Sequence, residues 1–251
     1  MKKLLSPLLL IFLFSNCNNT PDLIVIGHRG AMGHALENTI ESVEKAIDLK
    51  VDGIEIDVFK SKSGELIVYH DPSLSRLSNS TAFIEQISLD SIKKVELIGG
   101  LSIPTLNEVI DIIPEKIFLN IELKGENTAY ETNKIIIKYL SESNLTPSNF
   151  IISSFRWDEL KKFRNVNKDV PIAILVDSLY KIDKAIKLAK EINALSLNPN
   201  NEFITNQIVK KIQSNNISVY PYTINTPDNI NRMKSMGVDA IITDFPERIN
   251  K

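Results

Sequence analysis

Residues 53–58 read Gly-Ile-Glu-Ile-Asp-Val, a run in which two carboxylates alternate with branched apolar residues. Three more apolar runs carry charge at their ends: residues 23–30 end in His-Arg-Gly, residues 66–71 in His-Asp, and residues 117–124 in Glu-Leu-Lys. A charged group at the end of a hydrophobic strand is costly to desolvate unless it is paired or binds a ligand. The four runs therefore predict one shared polar site, of the kind in which an enzyme binds an anion with a metal ion.

Apolar β-branched runs alternate with helical patterns from residue 23 onward. The strand candidates are nearly continuous in Val, Ile and Leu, as expected of parallel strands buried on both faces. They are residues 23–27, 53–58, 66–69, 117–122, 150–153, 171–176, 194–197, 217–221 and 239–242. The helical candidates between them are residues 39–50, 105–113, 129–142, 156–165, 180–191, 203–214 and 227–236.

Eight β–α units in roughly 230 residues predict an α/β fold of the TIM (β/α)₈ barrel type. An open doubly wound sheet is the alternative, but no Gly-rich phosphate fingerprint follows the first strand. Residues 60–65 form a turn, so the run at 66–69 is expected to pair with the end of the run at 53–58. Residues 71–104 interrupt the rhythm of strands and helices, and we interpret them as a short insertion after the second barrel strand, placed over the strand C-terminal ends.

The whole-chain composition is that of a globular protein. It fits one large domain or two small ones, and the continuous strand–helix rhythm favours one domain. The chain has 251 residues, 43% of them hydrophobic, which is enough for one sizeable core. Its 29 basic and 31 acidic residues give a net charge of −2. This balance shows no bias toward nucleic acid, and any selectivity for anions must be local.

The N-terminal segment is typical of an exported lipoprotein. Residues 1–17 combine two lysines, a short apolar core and a terminal Cys17, the only cysteine. We predict a signal peptide of the lipoprotein type at residues 1–17, a polar tether at 18–22 and the domain at 23–251. A lipidated Cys17 would anchor the protein to a membrane of the cell envelope, on the periplasmic or outer surface. The alternative is a plain signal peptide with an incidental cysteine.

Three carboxylates are expected to meet at one end of the barrel, where the C-terminal ends of all strands share a face. Glu55 and Asp57 are two residues apart, so their side chains point the same way from the pleat. Glu122 joins them from the next barrel strand. Ligands that are all oxygen favour a hard divalent ion, Mg²⁺ or Ca²⁺, over zinc.

In this order, the motifs of the chain resemble those of the glycerophosphodiester phosphodiesterase family. The resemblance covers about residues 23–249 and is carried by His28-Arg29-Gly30, Glu37-Asn38-Thr39, Glu55-Ile56-Asp57, His70-Asp71, Glu122-Leu123-Lys124 and Ile242-Thr243-Asp244-Phe245-Pro246. It implies a TIM barrel with a small insertion, a divalent metal, and hydrolysis of a small glycerophosphodiester to sn-glycerol 3-phosphate and an alcohol. Phosphatidylinositol-specific phospholipases C are similar in using two histidines.

The resemblance also implies roles for individual residues. The acid/base pair would be His28 and His70, the metal ligands would be Glu55, Asp57 and Glu122, and the phosphate clamps would be Arg29 and Lys124. Residue chemistry agrees, because histidine titrates near neutrality and cations stabilise the charge that develops on a phosphodiester. Which histidine is the base and which is the acid stays open.

Two positions depart from the pattern of the family. Leu36 stands where a proline is common, and Tyr222 stands where a tryptophan is usual. Tyr222 is expected to pack against the glycerol moiety, and its presence leaves the preference for a leaving alcohol open. Asp244 is expected to help close the barrel or to cap the final turn.

Other functions fit the same motifs. The substrate could instead be a lysophospholipid, as in a lysophospholipase D, or a glycerol-phosphate polymer. A different class is a non-catalytic surface lipoprotein on the same barrel.

Overall fold

The structure, a computed structural model, describes residues 23–249 and consists of a nearly closed barrel of eight parallel strands with helices around it. The barrel strands are β1 (Ile24–Gly27), β2 (Gly53–Lys60), β6 (Phe118–Leu123), β7 (Phe150–Ser154), β8 (Ile172–Val176), β9 (Ser196–Pro199), β10 (Ser218–Val219) and β11 (Ala240–Thr243). The outer helices are α1 (Ile40–Asp48), α3 (Leu106–Ile110), α4 (Thr128–Glu142), α5 (Trp157–Val166), α6 (Ile182–Ile192), α7 (Asn206–Gln213) and α8 (Pro227–Met236). The predicted TIM barrel is confirmed.

The strands follow one another around the barrel, and β1 pairs with β11, so the first and last strands are neighbours. The remaining gap between β10 and β11 is bridged by backbone hydrogen bonds. The amide of Asp239 donates to the carbonyl of Val219 (3.1 Å), and the amide of Ile242 donates to that of Pro221 (3.1 Å). These contacts close the barrel between β10 and β11.

Both faces of the barrel strands are buried, which explains why the strands read as continuous apolar runs. Alternate side chains, among them Ile26, Ile151 and Ile242, fill the barrel interior. Side chains of the other parity, such as Ile54 and Ile174, pack beneath the outer helices. Polar inward positions occur toward the C-terminal ends of the strands, where the interior opens to the pocket described below.

The predicted insertion is present and contains short elements that the sequence did not indicate. Strand β3 (Leu66–Val68) runs antiparallel to β2, as expected. It is followed by the 3₁₀ turns Leu74–Arg76 and Ile84–Gln86, helix α2 (Leu89–Ile92) and the hairpin of β4 (Glu96–Leu97) and β5 (Leu101–Ser102). A separate apolar cluster holds these pieces together, and its buried members are Phe59, Ile67, Tyr69, Leu74, Leu77, Ile84, Ile92, Leu97 and Ile103.

The predicted signal peptide, the tether at 18–22 and Cys17 lie outside the described residues, so the segment boundaries at 1–17 and 18–22 stay predictions. Within residues 23–249, no helix has both the length and the apolar character that crossing a bilayer requires.

Helix α4 begins without a capping side chain of its own. Asn127, the residue before it, has φ +54° and makes no side-chain cap. The carboxylate of Glu159, a fully buried residue of α5, accepts instead from the amides of Asn127 (3.1 Å) and Ala129 (3.0 Å). Lys162 donates to the same carboxylate at 2.7 Å. Because the first amides of a helix carry partial positive charge, this remote carboxylate stabilises the start of α4.

We expect Glu159→Ala to lower the free energy of unfolding by about 2–3 kcal/mol, because it leaves the buried amide of Ala129 and the partly buried amide of Asn127 without this acceptor. The matched control is Asp158→Ala, which removes the exposed neighbour that also faces Lys162 at 3.5 Å. That control should change stability by less than about 0.5 kcal/mol. Chemical denaturation of both variants measures the difference, and equal losses would contradict a capping role for Glu159.

Candidate active site

The turn after β1 places the first two charged residues of the site. The amide of His28 donates to the carbonyl of Thr243 (2.9 Å), which continues the pairing with β11. Arg29 then has φ +50° and Gly30 has φ +85°. A Cβ at Gly30 would lie 2.4 Å from Oγ of Ser42, so only glycine fits there. The His-Arg-Gly turn is thus dictated by close backbone packing against α1.

Three carboxylates meet on neighbouring strands. Glu55 and Asp57 lie two apart on β2, and Asp57 is directly opposite Glu122 of β6 in the sheet register. Each of the three offers an oxygen, and these oxygens all lie within 4.8 Å of one another. All three side chains are buried. The cluster is compatible with a divalent cation, and oxygen donors at this spacing suit a hard ion.

Two basic side chains, one backbone amide and one side-chain amide surround the cluster. Lys124 Nζ lies 3.1 Å from Oε1 of Glu122 and 3.5 Å from Oδ1 of Asp57. Arg29 Nε lies 3.4 Å from Oδ2 of Asp57, and the Arg29 amide donates to Oε2 of Glu55 at 3.0 Å. Asn38 Nδ2 donates to the same Asp57 oxygen at 2.8 Å. Asp57 is therefore contacted by every positive group of the cluster.

The three carboxyl groups of the cluster differ in the direction of their pKa shifts. Burial raises the pKa of Glu55 well above its usual range, and repulsion from Asp57 and Glu122 adds to the shift. Burial, with repulsion from Asp57, raises the pKa of Glu122 to about 8. Burial also acts against ionisation of Asp57, but Lys124 and Arg29 outweigh it and hold the pKa of Asp57 below its ordinary value. Arg29 and Lys124 thus stabilise the ionised form of Asp57. The raised pKa values of Glu55 and Glu122 fit a site that is completed by a bound cation.

Each predicted catalytic histidine is held by a carboxylate at Nδ1. His28 Nδ1 lies 2.6 Å from Oδ1 of Asp244, and His70 Nδ1 lies 2.6 Å from Oδ1 of Asp71. Burial opposes ionisation of both aspartates, but hydrogen bonds outweigh it, from His28 in one case and from Arg76 and His70 in the other, and keep each pKa below its usual range. An ionised carboxylate only accepts hydrogen bonds, so Nδ1–H donates and Nε2 is left to act.

The expectation for Asp244 was incomplete. Instead of only closing the barrel, its carboxylate bonds His28 and also accepts from Asn225 Nδ2 at 2.6 Å. The contact arises because β11 pairs with β1, which brings residues 216 apart in the chain side by side. The position of Asp244 after a predicted strand was the available signal, and the sequence does not indicate which strand lies beside it.

The predicted site residues surround one cavity of about 190 Å³ at the C-terminal end of the barrel. Seven of them line it: His28, Arg29, Glu55, His70, Glu122, Lys124 and Tyr222. Asp57, which is 1% exposed, is not on the cavity wall and contacts Arg29 and Lys124 from beneath. The structure therefore brings together all eight residues that the sequence singled out.

The opposite wall of the cavity is apolar. It is formed by Phe155, Leu175, Tyr222 and Ile242. The rings of Phe155 and Tyr222 meet edge to face with centroids 5.8 Å apart, and the Tyr222 hydroxyl donates to the carbonyl of Val176 at 3.2 Å. The wall with the basic residues thus suits an anionic group, and the wall with the aromatic rings suits the apolar part of a ligand.

Comparison with known proteins agrees with this geometry. The model of the Glycerophosphoryl diester phosphodiesterase family matches residues 28–248. A glycerophosphodiester phosphodiesterase of Caldanaerobacter subterraneus is 34% identical over 235 residues, which cover 90% of this chain and 96% of the relative. Among solved structures, a phosphodiesterase of Oleispira antarctica in complex with the product sn-glycerol-3-phosphate has a TM-score of 0.81 at 26% identity, covering 90% of this chain and 94% of that one. A glycerophosphodiester phosphodiesterase of Thermotoga maritima has a TM-score of 0.75 at 28% identity, with 90% and 96% covered.

The chain belongs to the glycerophosphoryl diester phosphodiesterase family and is an enzyme of that class, a phosphoric diester hydrolase. The resemblance drawn from its motifs is confirmed.

We expect cation binding to release protons. Without a cation, Glu55 and Glu122 hold protons at pH values where an ordinary glutamate is ionised. A cation must displace these protons, so its affinity should rise with pH through the range in which Glu122, with a pKa raised to about 8, loses its proton. Calorimetric titration of Mg²⁺ or Ca²⁺ into chelator-treated protein, in two buffers with different ionisation enthalpies, measures the release at pH 6 and at pH 9.

The matched variants are Glu55→Gln and Glu65→Gln. Glu65 lies in the turn between β2 and β3, where its carboxylate bonds only nearby serines. The affinity for the cation should fall by about tenfold or more in Glu55→Gln and stay unchanged in Glu65→Gln. Equal affinities, or binding without proton release at pH 6, would contradict the assignment of the cluster.

Proposed function

We propose that this enzyme hydrolyses glycerophosphodiesters to sn-glycerol 3-phosphate and an alcohol, with His28 and His70 as the acid/base pair. The observation that carries the proposal is the arrangement of two histidines in one pocket, each with Nδ1 bonded to an ionised aspartate at 2.6 Å. The substrate class is supported by the sn-glycerol-3-phosphate bound to the Oleispira antarctica relative, which is similar to this chain over 90% of its length.

The basic residues bind the phosphate in this proposal. Arg29 and Lys124 line the cavity, and each is held by the buried carboxylates next to it. Their positive charge faces the place where negative charge grows as the phosphodiester reaches its pentacoordinate state. Because their positions are fixed before substrate arrives, they stabilise that charge without reorganising.

The histidines move the protons. Hydrolysis requires one group to accept a proton from the nucleophile, a water or the neighbouring glycerol hydroxyl, and another to give a proton to the leaving alkoxide. A histidine whose Nδ1–H is bonded to carboxylate can accept a proton at Nε2, and the resulting imidazolium is stabilised by that carboxylate. His28 with Asp244 and His70 with Asp71 each have this construction.

The acidic cluster supplies the cofactor site. Glu55, Asp57 and Glu122 would hold one divalent cation, Mg²⁺ or Ca²⁺, since every donor is a carboxylate oxygen. Such an ion, when bound, acts as a Lewis acid toward a phosphoryl oxygen and offsets the repulsion within the cluster.

The apolar wall contacts the organic part of the substrate. Tyr222 and Phe155 present ring edges and faces to the cavity, which suits the carbon skeleton of glycerol. The small cavity, about 190 Å³, favours a compact headgroup over a bulky polymer segment.

We also propose that the protein is exported and lipid-anchored through Cys17, and the fold then favours water-soluble substrates. Strand β1 begins at Ile24, at the barrel end opposite the pocket. The five tether residues span at most about 18 Å. Helix α4 alone, with 15 residues, is about 22 Å long, so the tether cannot reach around the helical layer. An anchored enzyme would turn its pocket away from its own membrane, which disfavours lysophospholipids of that leaflet.

Fractionation of cells that express the full chain tests the anchor. The intact protein should sediment with membranes and be released by detergent, and Cys17→Ala should move it to the soluble fraction. A variant that still requires detergent for release would contradict lipidation at Cys17.

We expect His28→Ala and His70→Ala each to reduce kcat by about 10²–10⁴-fold, because each removes a proton-transfer group. The assay is release of sn-glycerol 3-phosphate from glycerophosphocholine with Mg²⁺ or Ca²⁺ present. Unchanged turnover in either variant contradicts the two-histidine mechanism.

The third histidine provides a matched control. His34 bonds Glu247 at 2.8 Å and is not on the cavity wall, so His34→Ala should retain wild-type kcat. A panel of glycerophosphocholine, glycerophosphoethanolamine, a lysophospholipid and a glycerol-phosphate oligomer identifies the leaving group. Preference for either of the last two would replace the proposed substrate class while leaving the site unchanged.

A further inference from the structure

Arg76 belongs to the 3₁₀ turn Leu74–Arg76 of the insertion and makes three hydrogen bonds to two different carboxylates. Its Nη1 donates to Oε2 of Glu37 at 2.8 Å, and its Nη2 donates to Oε1 of the same residue at 2.7 Å. Its Nε donates to Oδ2 of Asp71. A guanidinium is a rigid planar fork, so these three bonds fix the position of one carboxylate relative to the other.

The first carboxylate supports the phosphate clamp. Glu37 is 7% exposed, and besides Arg76 it accepts from Arg29 Nη1 at 2.7 Å. One carboxylate thus lies between two guanidinium groups, with Arg29 on the pocket side and Arg76 on the insertion side. Loss of Arg76 would leave Glu37 with a single partner, Arg29. The Arg29 side chain would then be held less firmly at its Nη1 end, although Asp57 still contacts its Nε at 3.4 Å.

The second carboxylate supports a histidine. Asp71 uses Oδ1 to accept from His70 Nδ1 and uses Oδ2 to accept from Arg76. The ring of His70 is therefore oriented by a carboxylate that Arg76 holds in place. Asp71 and its histidine are both partly exposed, at 26% and 28%, so packing alone does not immobilise them.

Among residues 23–249, only Arg76 bonds both Glu37 and Asp71. The other histidine is supported differently, because the carboxylate behind His28 is held by Asn225 of the barrel. The two histidines therefore depend on different parts of the fold. The support of His70, and of the Glu37 carboxylate that bonds Arg29, includes the insertion.

We propose that Arg76 is a positioning residue, which holds the phosphate clamp Arg29 and the proton-transfer group His70 in one fixed arrangement through Glu37 and Asp71. This inference rests on the proposed function. It gives the insertion a specific task, since the apolar cluster of the insertion fixes the turn that carries Arg76. Without that turn, Glu37 and Asp71 would lose the guanidinium that links them, whereas His28 would keep its support from Asp244 and Asn225.

The test compares Arg76→Met, Arg76→Lys and the matched control Lys93→Met. Lys93 is an insertion cation that also donates to two acceptors, the carbonyl of buried Ile103 (2.9 Å) and the exposed Glu108 Oε2 (2.6 Å), and it does not line the pocket. For each protein we would measure Tm, kcat and KM with glycerophosphocholine and a divalent cation, and the dissociation constant of sn-glycerol 3-phosphate by calorimetry.

We expect Arg76→Met to lower kcat by about 10–100-fold and to weaken sn-glycerol 3-phosphate binding by roughly tenfold, with a Tm close to that of Lys93→Met. The control should keep wild-type kcat and product affinity. Arg76→Lys retains the charge but not the fork, so it should recover only part of the loss.

Three results would overturn the proposal: Arg76→Met with the kcat and product affinity of the control, activity lost only in proportion to unfolded protein, or full recovery in Arg76→Lys. Failure of the proposed function is recognised separately, because the wild type itself would then release no sn-glycerol 3-phosphate. In that case the calorimetric comparison of wild type with Arg76→Met still tests the positioning of Arg29.

Discussion

Asp57 and Glu122 lie directly opposite each other on β2 and β6, and Glu55 lies on the same face one pleat away. Like charges at buried opposite positions repel strongly, and burial removes the water that would screen them. The surrounding structure offsets this repulsion with donors and positive charge. The left-handed turn at Arg29 directs a backbone amide and a guanidinium toward the cluster, and Lys124 extends over it from the end of β6. A cluster of this kind is retained for binding and chemistry at the expense of stability.

Barrel closure places the proton-transfer groups around that cluster. Because β1 pairs with β11, the residue after the first strand meets the residue after the last, and His28 acquires Asp244. His70 acquires its aspartate from the next position in the chain, and Arg76 then links that aspartate to Glu37. Two histidines of similar construction are thus supported by unrelated parts of the molecule, one by the barrel and one by the insertion. The insertion therefore contributes contacts to the site as well as to the fold.

Some elements could be predicted from residue patterns, and others could not, for physical reasons. Strands such as β7 and β8 are buried along their whole length and mostly apolar, so their bounds differ from the predicted ones by a single residue. Strand β10 was predicted at 217–221 but spans only Ser218–Val219. Beyond it, the amides of Tyr220 and Tyr222 still donate to β9, but Pro199 of β9 has no amide to donate in return. Helix α2 and the β4–β5 hairpin are too short to carry a periodic signal, and tertiary packing against the insertion cluster stabilises them. The start of α4 depends on Glu159, which lies 30 residues beyond Ala129.

The sequence by itself determined the barrel, the family and the eight residues that meet at the pocket, because these depend on local patterns: buried strands, and charged motifs at strand ends. It did not reveal the partners that orient those residues. Asp244 was expected to help close the barrel or to cap the final turn, and no role was predicted for Arg76, which lies in the serine-rich insertion. Only the tertiary structure decided which carboxylate backs which histidine and which cation links them. Hydrogen bonds between residues far apart in the chain follow from barrel closure and from the path of the insertion. The local sequence around the bonded residues indicates neither of these.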